Sequence, residues 1–421
     1  MRKHSTVLKI VTLLMCIVFF APSCLKDKLT KTYTILTPVY ETKEKVLSNI
    51  KTNVPVNVST PGKIYLYGKY IFLNEINKGV HIIDNANPSK PVNVAFINIP
   101  GNLDIAVKGN ILYADFYTDL LSIDISNPLN AKMSKLLPDV FPQRKYENWI
   151  DLDTTRIIVN WIKKDTTIDI SQNSGNYGWL NCNRCLFASA NSFGDGSKSS
   201  SSVPGIAGSM ARFAIVNDYL YAVNNTSLET IKISNAPDLS LVQSDNVGWT
   251  IETIFPFKEK LFIGSATGMY IYDINNPAAP ERNGIFEHLR SCDPVIADDN
   301  YAFVTLRSGN TCQGFSNQLD IVDINNLNAP SLVKSYNLTN PHGLSKDGNI
   351  LFICDGKDGL KVYDASNVNN LKLLKHLPGM EAYDVIAWNK KLILVSKTGL
   401  SQYDYSDINN IHLVSTISVN R

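Results

Sequence analysis

One six-residue phrase recurs along this chain and limits what it can fold into. It reads Gly-Val-His-Ile-Ile-Asp at 79–84, Asp-Leu-Leu-Ser-Ile-Asp at 119–124 and Ser-Leu-Glu-Thr-Ile-Lys at 227–232. It returns as Gly-Met-Tyr-Ile-Tyr-Asp at 268–273, Gln-Leu-Asp-Ile-Val-Asp at 318–323, Gly-Leu-Lys-Val-Tyr-Asp at 359–364 and Gly-Leu-Ser-Gln-Tyr-Asp at 399–404. The last positions are separated by 40, 108, 41, 50, 41 and 40 residues. A fixed period of this size marks a repeated supersecondary unit that buries its faces only by stacking on its neighbours.

Each period divides into four short apolar runs. In the sixth they are 343–346, 350–353, 360–363 and 371–377, joined by turns such as Asp347-Gly348-Asn349, where Gly and Asn accept positive φ at little cost. Runs of Val, Ile, Tyr, Phe and Leu broken by Asn, Asp, Gly and Pro are strand-and-turn signals, and long helical periodicity is missing. Seven such sheets set around an axis cover all but their outer edges. The expected fold is all-β: a seven-bladed β-propeller of four-stranded antiparallel blades over 61–421. The last unit keeps its own fourth strand, near 411–419. Whether the segment before the first blade adds a closing strand is left open.

The phrases GVHIIDNANPSKP, GMYIYDINNPAAP and GLKVYDASNV resemble the LVIVD repeat, a β-propeller family of exported, Bacteroidota-type bacterial lipoproteins. The likeness runs from about residue 62 to the C-terminus and takes in GSMARFAIVNDYLYAV, SCDPVIADDNYAFVTLRSGNTC and NPHGLSKDGNILFICDG. The third repeat departs from the pattern, with Ser227 in place of Gly and Lys232 in place of Asp. The resemblance implies a fold and an envelope location, but no particular activity.

Residues 1–23 read as a signal peptide: Arg2, Lys3, His4 and Lys9 precede a short apolar run from Ile10 to Ala21. Ala21-Pro22-Ser23-Cys24 resembles a bacterial lipobox, which makes Cys24 the lipidated first residue of the mature chain. An ordinary signal peptide with an incidental Cys is the alternative. Residues 24–60 then read as a tether, and the expected location is the outer membrane, on its periplasmic or its cell-surface side. The mature chain holds no second apolar segment long enough for a transmembrane helix. A net charge of +2, with 19% charged residues and no basic stripe, excludes a nucleic-acid footprint.

Two spacings exceed the period. The 108-residue gap implies an insertion over roughly 132–210, between the second and third blades, and the 50-residue gap a short one at 307–317. If each blade's first strand starts at the top, both insertions emerge on the top face, the side on which repeat scaffolds commonly bind. The long insertion carries Tyr146, Trp149, Trp161, Tyr177, Trp179, Phe187 and Phe193. These rings make either its own small core or a platform for a protein or glycan partner.

In an oxidising compartment, paired cysteines read as disulfides before metal sites. Cys292 and Cys312 both fall at the top of the fifth blade and are expected to bridge. Cys182 and Cys185 form a lone CxxC with no second pair, which favours a loop clip over zinc or redox chemistry. Cys354, at a strand end, reads as a buried thiol.

Five or six residues before each first-to-second strand turn stands a polar group: Lys63, Asp104, Arg212, Glu252, Asp293, His342 and Asp384. These place a polar ring at the mouth of the central channel, where water would account for them without a ligand. A catalytic version would use Asp293, Asp384 or Glu252 as a base beside His342 or a bound metal. No GxSxG, HExxH, P-loop or dinucleotide motif is present, and no metal ligand set or cofactor is assigned. The sequence therefore favours a non-enzymatic binding or scaffold propeller. A small-molecule or metal-dependent enzyme at the channel mouth is the alternative.

Overall fold

A computed structural model describes residues 30–144, 155–169, 186–188, 206–288, 294–308 and 316–420. Seven antiparallel sheets form a seven-bladed β-propeller. The blades span 61–98, 105–137, 213–246, 251–287, 295–337, 344–377 and 382–418. Each of them has four consecutive strands, the first innermost. Residues Lys132–Leu137, counted with the insertion in the sequence, form the outer strand of blade 2.

The chain divides into two compact units. One holds 40–159 and 193–421, and the other 1–39 and 160–192. Within the smaller unit, Thr34 pairs with Ala188 and Leu36 with Leu186. There the Thr34 hydroxyl donates to Asp165 at 2.6 Å.

The repeated phrase is each blade's third strand, and its conserved look has structural causes. Its closing Asp accepts the backbone N–H two residues on, as Asp84 does from Ala86 at 2.9 Å and Asp404 from Ser406 at 2.7 Å, closing the turn to the fourth strand. Its opening Gly lies under the fourth strand. A Cβ on Gly79 would stand 2.0 Å from the Ile97 carbonyl oxygen, and one on Gly359 2.1 Å from that of Leu377. In all seven blades a β-bulge separates the phrase's fourth and fifth residues, for example Ile82/Ile83 and Gln402/Tyr403. Such bulges increase local twist, as radial packing of sheets requires. The third residue of the second strand is a buried ring in six blades (Phe72, Tyr113, Tyr221, Phe262, Phe303 and Phe352), with Ile393 in the seventh. These side chains sit where neighbouring blades face each other and bury large apolar area.

The propeller closes without exchanging a strand. Ile64, Leu66, Ile71 and Leu73 of blade 1 pack on Ile386, Ile393 and Val395 of blade 7. Gln402 Nε2 donates to Asn85 Oδ1 at 2.7 Å, and Ser415 Oγ to the Pro88 carbonyl at 2.6 Å. The N-terminal segment contributes at the outside: Thr52–Asn53 pairs with the outer strand of blade 1. Among the described residues no helix is long and apolar enough to cross a membrane.

Candidate functional site

Four of the seven residues expected at the channel mouth lie under cover. Lys63, Asp104, His342 and Asp384 are 2, 1, 2 and 0% exposed, so the expected water-filled ring is a buried polar centre. Arg212 and Glu252 are half-buried, and Asp293 lies outside the described residues.

The cover is the chain's own segment 206–212, which leads from the insertion into blade 3. Ile206–Ala207 adds a strand to the inner edge of blade 1, with Ala207 opposite Tyr65. The Ser209 hydroxyl accepts from Leu344 N of blade 6 at 2.7 Å. Ala211 O accepts from Ile254 N of blade 4 at 2.5 Å. Gly208 and Gly343 flank the Asp384 carboxylate so closely that a Cβ on either would come within 2.1 or 2.2 Å of its oxygens. Only glycine fits there, because the two backbones approach the same side chain.

Lys63 Nζ donates to Asp104 Oδ2 at 3.0 Å, and the same oxygen accepts from Arg212 N at 2.6 Å. Burial pushes the Asp104 carboxyl up, against the opposing pull of the Lys63 ammonium and those N–H groups. Arg307, 9% exposed, places Nη1 2.9 Å from His342 Nδ1. A guanidinium only donates, so that ring nitrogen accepts. Each of these groups is tied to another blade or to the covering segment.

A second set of acids was hidden in the repeat, four residues before the phrase. Glu75 is the last residue of the second strand of blade 1, Asp115 the penultimate one of blade 2, and Asp355 directly follows that of blade 6. Each collects two backbone N–H groups from the loop entering its own blade: Ser59 and Thr60, Leu103 and Asp104, Thr339 and Asn340. Each also meets a cation, namely Lys78, Arg144 and Lys361. Aligning the seven phrases at that offset would have found them. They clamp the top of the ring, and their oxygens are spent on that task.

Blade 3 breaks this pattern. Val223 stands four before its phrase, and a carboxyl appears instead at the phrase's third residue, Glu229. It is 2% exposed and accepts from Ser227 Oγ at 2.6 Å and Asn224 Nδ2 at 3.3 Å. Burial pushes its pKa up, against hydrogen bonds from Ser227 and Ser244. Above it opens a cavity of about 290 Å³, walled by Asn224, Ser227, Leu241, Ser244 and Asn246 on the blade and by residues 139–143 on the other side.

That second wall is the foot of the insertion. Phe141 stacks on Phe213 at 5.9 Å, Phe141 N donates to the Thr118 carbonyl at 2.8 Å, and Arg144 pairs with Asp115. Cys24, Cys182, Cys185, Cys292, Cys312, Tyr146, Trp149, Tyr177, Trp179 and Phe193 lie outside the described residues. Cys354 is buried at the end of a second strand.

The LVIVD repeat model matches residues 62–97, 102–135 and 291–338, which fall on blades 1, 2 and 5. The chain is a β-propeller that carries LVIVD repeats. The LVIVD phrase itself does structural work, closing turns and admitting the fourth strand. No curated protein matches the chain. Among solved structures it is similar to a periplasmic gluconolactonase of Pseudomonas aeruginosa, at 10% identity and TM-score 0.54, covering 93% of this chain and 97% of that one. A protein from Lactobacillus plantarum aligns at 10% identity and TM-score 0.53, over 92% and 97%. The computationally designed protein Ika8 aligns at 9% and 0.52, over 88% and 92%. An enzyme and a design share this fold at such identities, so the likeness speaks for architecture alone.

Proposed function

We propose that this LVIVD propeller is a cell-envelope lipoprotein, held to the outer membrane through Cys24, that acts as a non-enzymatic scaffold. Its insertion between blades 2 and 3 is the surface offered to a protein or glycan partner. The observation that carries this reading is that both feet of the insertion are fixed to the ring. Residues 139–144 are bonded to blade 2, with Phe141 stacked on blade 3, and residues 206–212 bond across the channel to blades 1, 2, 4 and 6. Rooted feet fix where the insertion leaves and rejoins the ring, which lowers the ordering cost at those two points. The same covering segment occupies the channel mouth, where a catalytic reading would need room for substrate.

The test is co-purification of the full-length protein from gently solubilised native membranes, beside a variant with 145–205 replaced by a short Gly-Ser turn. A near-stoichiometric partner lost only from the shortened protein is the expected result. A partner recovered equally with both proteins removes the insertion from the reading. Cys24→Ser should move the protein out of the membrane fraction, and its retention there would overturn the lipid anchor.

A further inference from the structure

The cavity over Glu229 differs in kind from the clamped rims of blades 1, 2 and 6. At about 290 Å³ it stands at the lower end of small-molecule sites, large enough for a single sugar ring rather than an oligomer. Its walls offer donors and acceptors together: the hydroxyls of Thr226, Ser227 and Ser244, and the amides of Gln143, Asn224 and Asn246. Val140, Pro142 and Leu241 supply an apolar side. No Lys, Arg or His lines it, so it is unsuited to an anion. Nor do the described residues bring three or more His, Cys, Asp or Glu side chains together as a metal group would need.

The loop beside this cavity is unusual in its own right. Val247 N and Gly248 N both lie on the carbonyl of cavity-lining Thr226, at 2.9 and 3.3 Å, and Ile251 N donates to Asn225 O at 3.0 Å. Between these ties stands Trp249, 78% exposed. Thr250 follows it at φ +53°, a left-handed conformation that a β-branched residue adopts only under constraint. A bare indole on a constrained loop is an arrangement that stacking on a flat, partly apolar ring would use.

We propose that the upper rim of blade 3 binds a neutral, polyhydroxylated molecule the size of one sugar ring. Hydroxyl and amide groups with Glu229 line the site, and Trp249 stacks at its edge. The site is separate from the partner surface, because none of its residues lies in 145–205.

Isothermal titration calorimetry on the mature chain decides this, with glucose, galactose and N-acetylglucosamine as probes and calcium chloride and phosphate as class controls. The expected result is millimolar binding of at least one sugar. Trp249→Ala and Gln143→Ala should each weaken it by about tenfold while thermal unfolding stays unchanged, since neither side chain is core. Heat from calcium or phosphate alone overturns the ligand class. Sugar binding that both variants leave intact overturns the site, and no heat from any sugar overturns the proposal. The variant lacking 145–205 should keep the sugar while losing the partner, so the two readings fail independently.

Discussion

In blade 1 the rim acid, Glu75, ends the second strand and faces His81 on the third at 3.1 Å. In blade 3 that place in the repeat is apolar, Val223, which ends the second strand, and the acid, Glu229, stands on the third. Both carboxyls are all but inaccessible, at 1 and 2%, so burial alone would raise both. For Glu75 that push is outweighed by hydrogen bonds from His81, from the Ser59 side chain and backbone, and from Lys78, and the pKa falls to about 2. Glu229 meets only hydroxyls and an amide, and its pKa rises. The same buried carboxyl therefore becomes a clamp or an open rim according to whether backbone N–H groups and a cation reach it.

The most damaging way to break the comparison is to give blade 1 the opening residue of blade 3. Gly79 has φ +143°, and a Cβ would overlap the Ile97 carbonyl oxygen. Gly79→Ser should cost about 4 kcal/mol, combining a disfavoured backbone with a fixed overlap. Ser227→Gly, the reverse exchange, should cost about 1 kcal/mol or less, from chain entropy and the lost Ser227 hydroxyl. Urea unfolding of both variants measures the difference, and equal losses would show that the fourth strand does not demand glycine.

Next in size is the clamp itself. Glu75 has a folded pKa of about 2 against 4.5 unfolded. Its contribution is therefore complete above pH 4.5 and is lost as pH falls toward 2. The shift corresponds to roughly 3 kcal/mol as an upper limit. Glu75→Gln should lower stability near neutral pH by an amount of that order and remove this part of the acid-side decline. Unfolding followed from pH 2 to 7 tests it: an unchanged acid limb in the variant would mean that Ser59, Thr60, Lys78 and His81 hold the rim without the charge.

Much of this architecture was readable in advance. The phrase, the period and the four strands could be read because each is repeated, and repetition reflects demands shared by every blade. Asp84 and its equivalents close turns, and Gly79 and Gly359 make room for the fourth strand. The rim acids Glu75, Asp115 and Asp355 share one offset in three blades but fall outside the phrase, so a search centred on it passed them by. The channel residues were located, yet their surroundings were misjudged. Lys63 and Asp104 look like a wet mouth until segment 206–212 covers them, and those contacts are made by one blade's entry alone, so no period betrays them. The role of the N-terminal segment was likewise beyond pattern, because Thr52–Asn53 pairs at the outer edge of blade 1 through two residues only. The cavity over Glu229 is the counterpart of these misses: it lies where blade 3 departs from the phrase, at Ser227.

The smallest expected effect is the most pointed. Because Glu229 holds its proton more tightly in the folded chain than in the unfolded one, folding takes up a proton between the unfolded value of 4.5 and the raised folded value. Stability from this group is therefore greatest below pH 4.5 and declines as pH rises through that window, the opposite of Glu75. Glu229→Gln keeps the shape and the acceptor oxygen for Ser227 while removing the titration. It should leave stability at acid pH within about 0.5 kcal/mol of the parent and make the protein up to about 1 kcal/mol more stable at pH 7. A loss at pH 7 comparable to that of Glu75→Gln would mean that the carboxylate is held by stabilising contacts after all, and blade 3 would then be a clamp like blade 1.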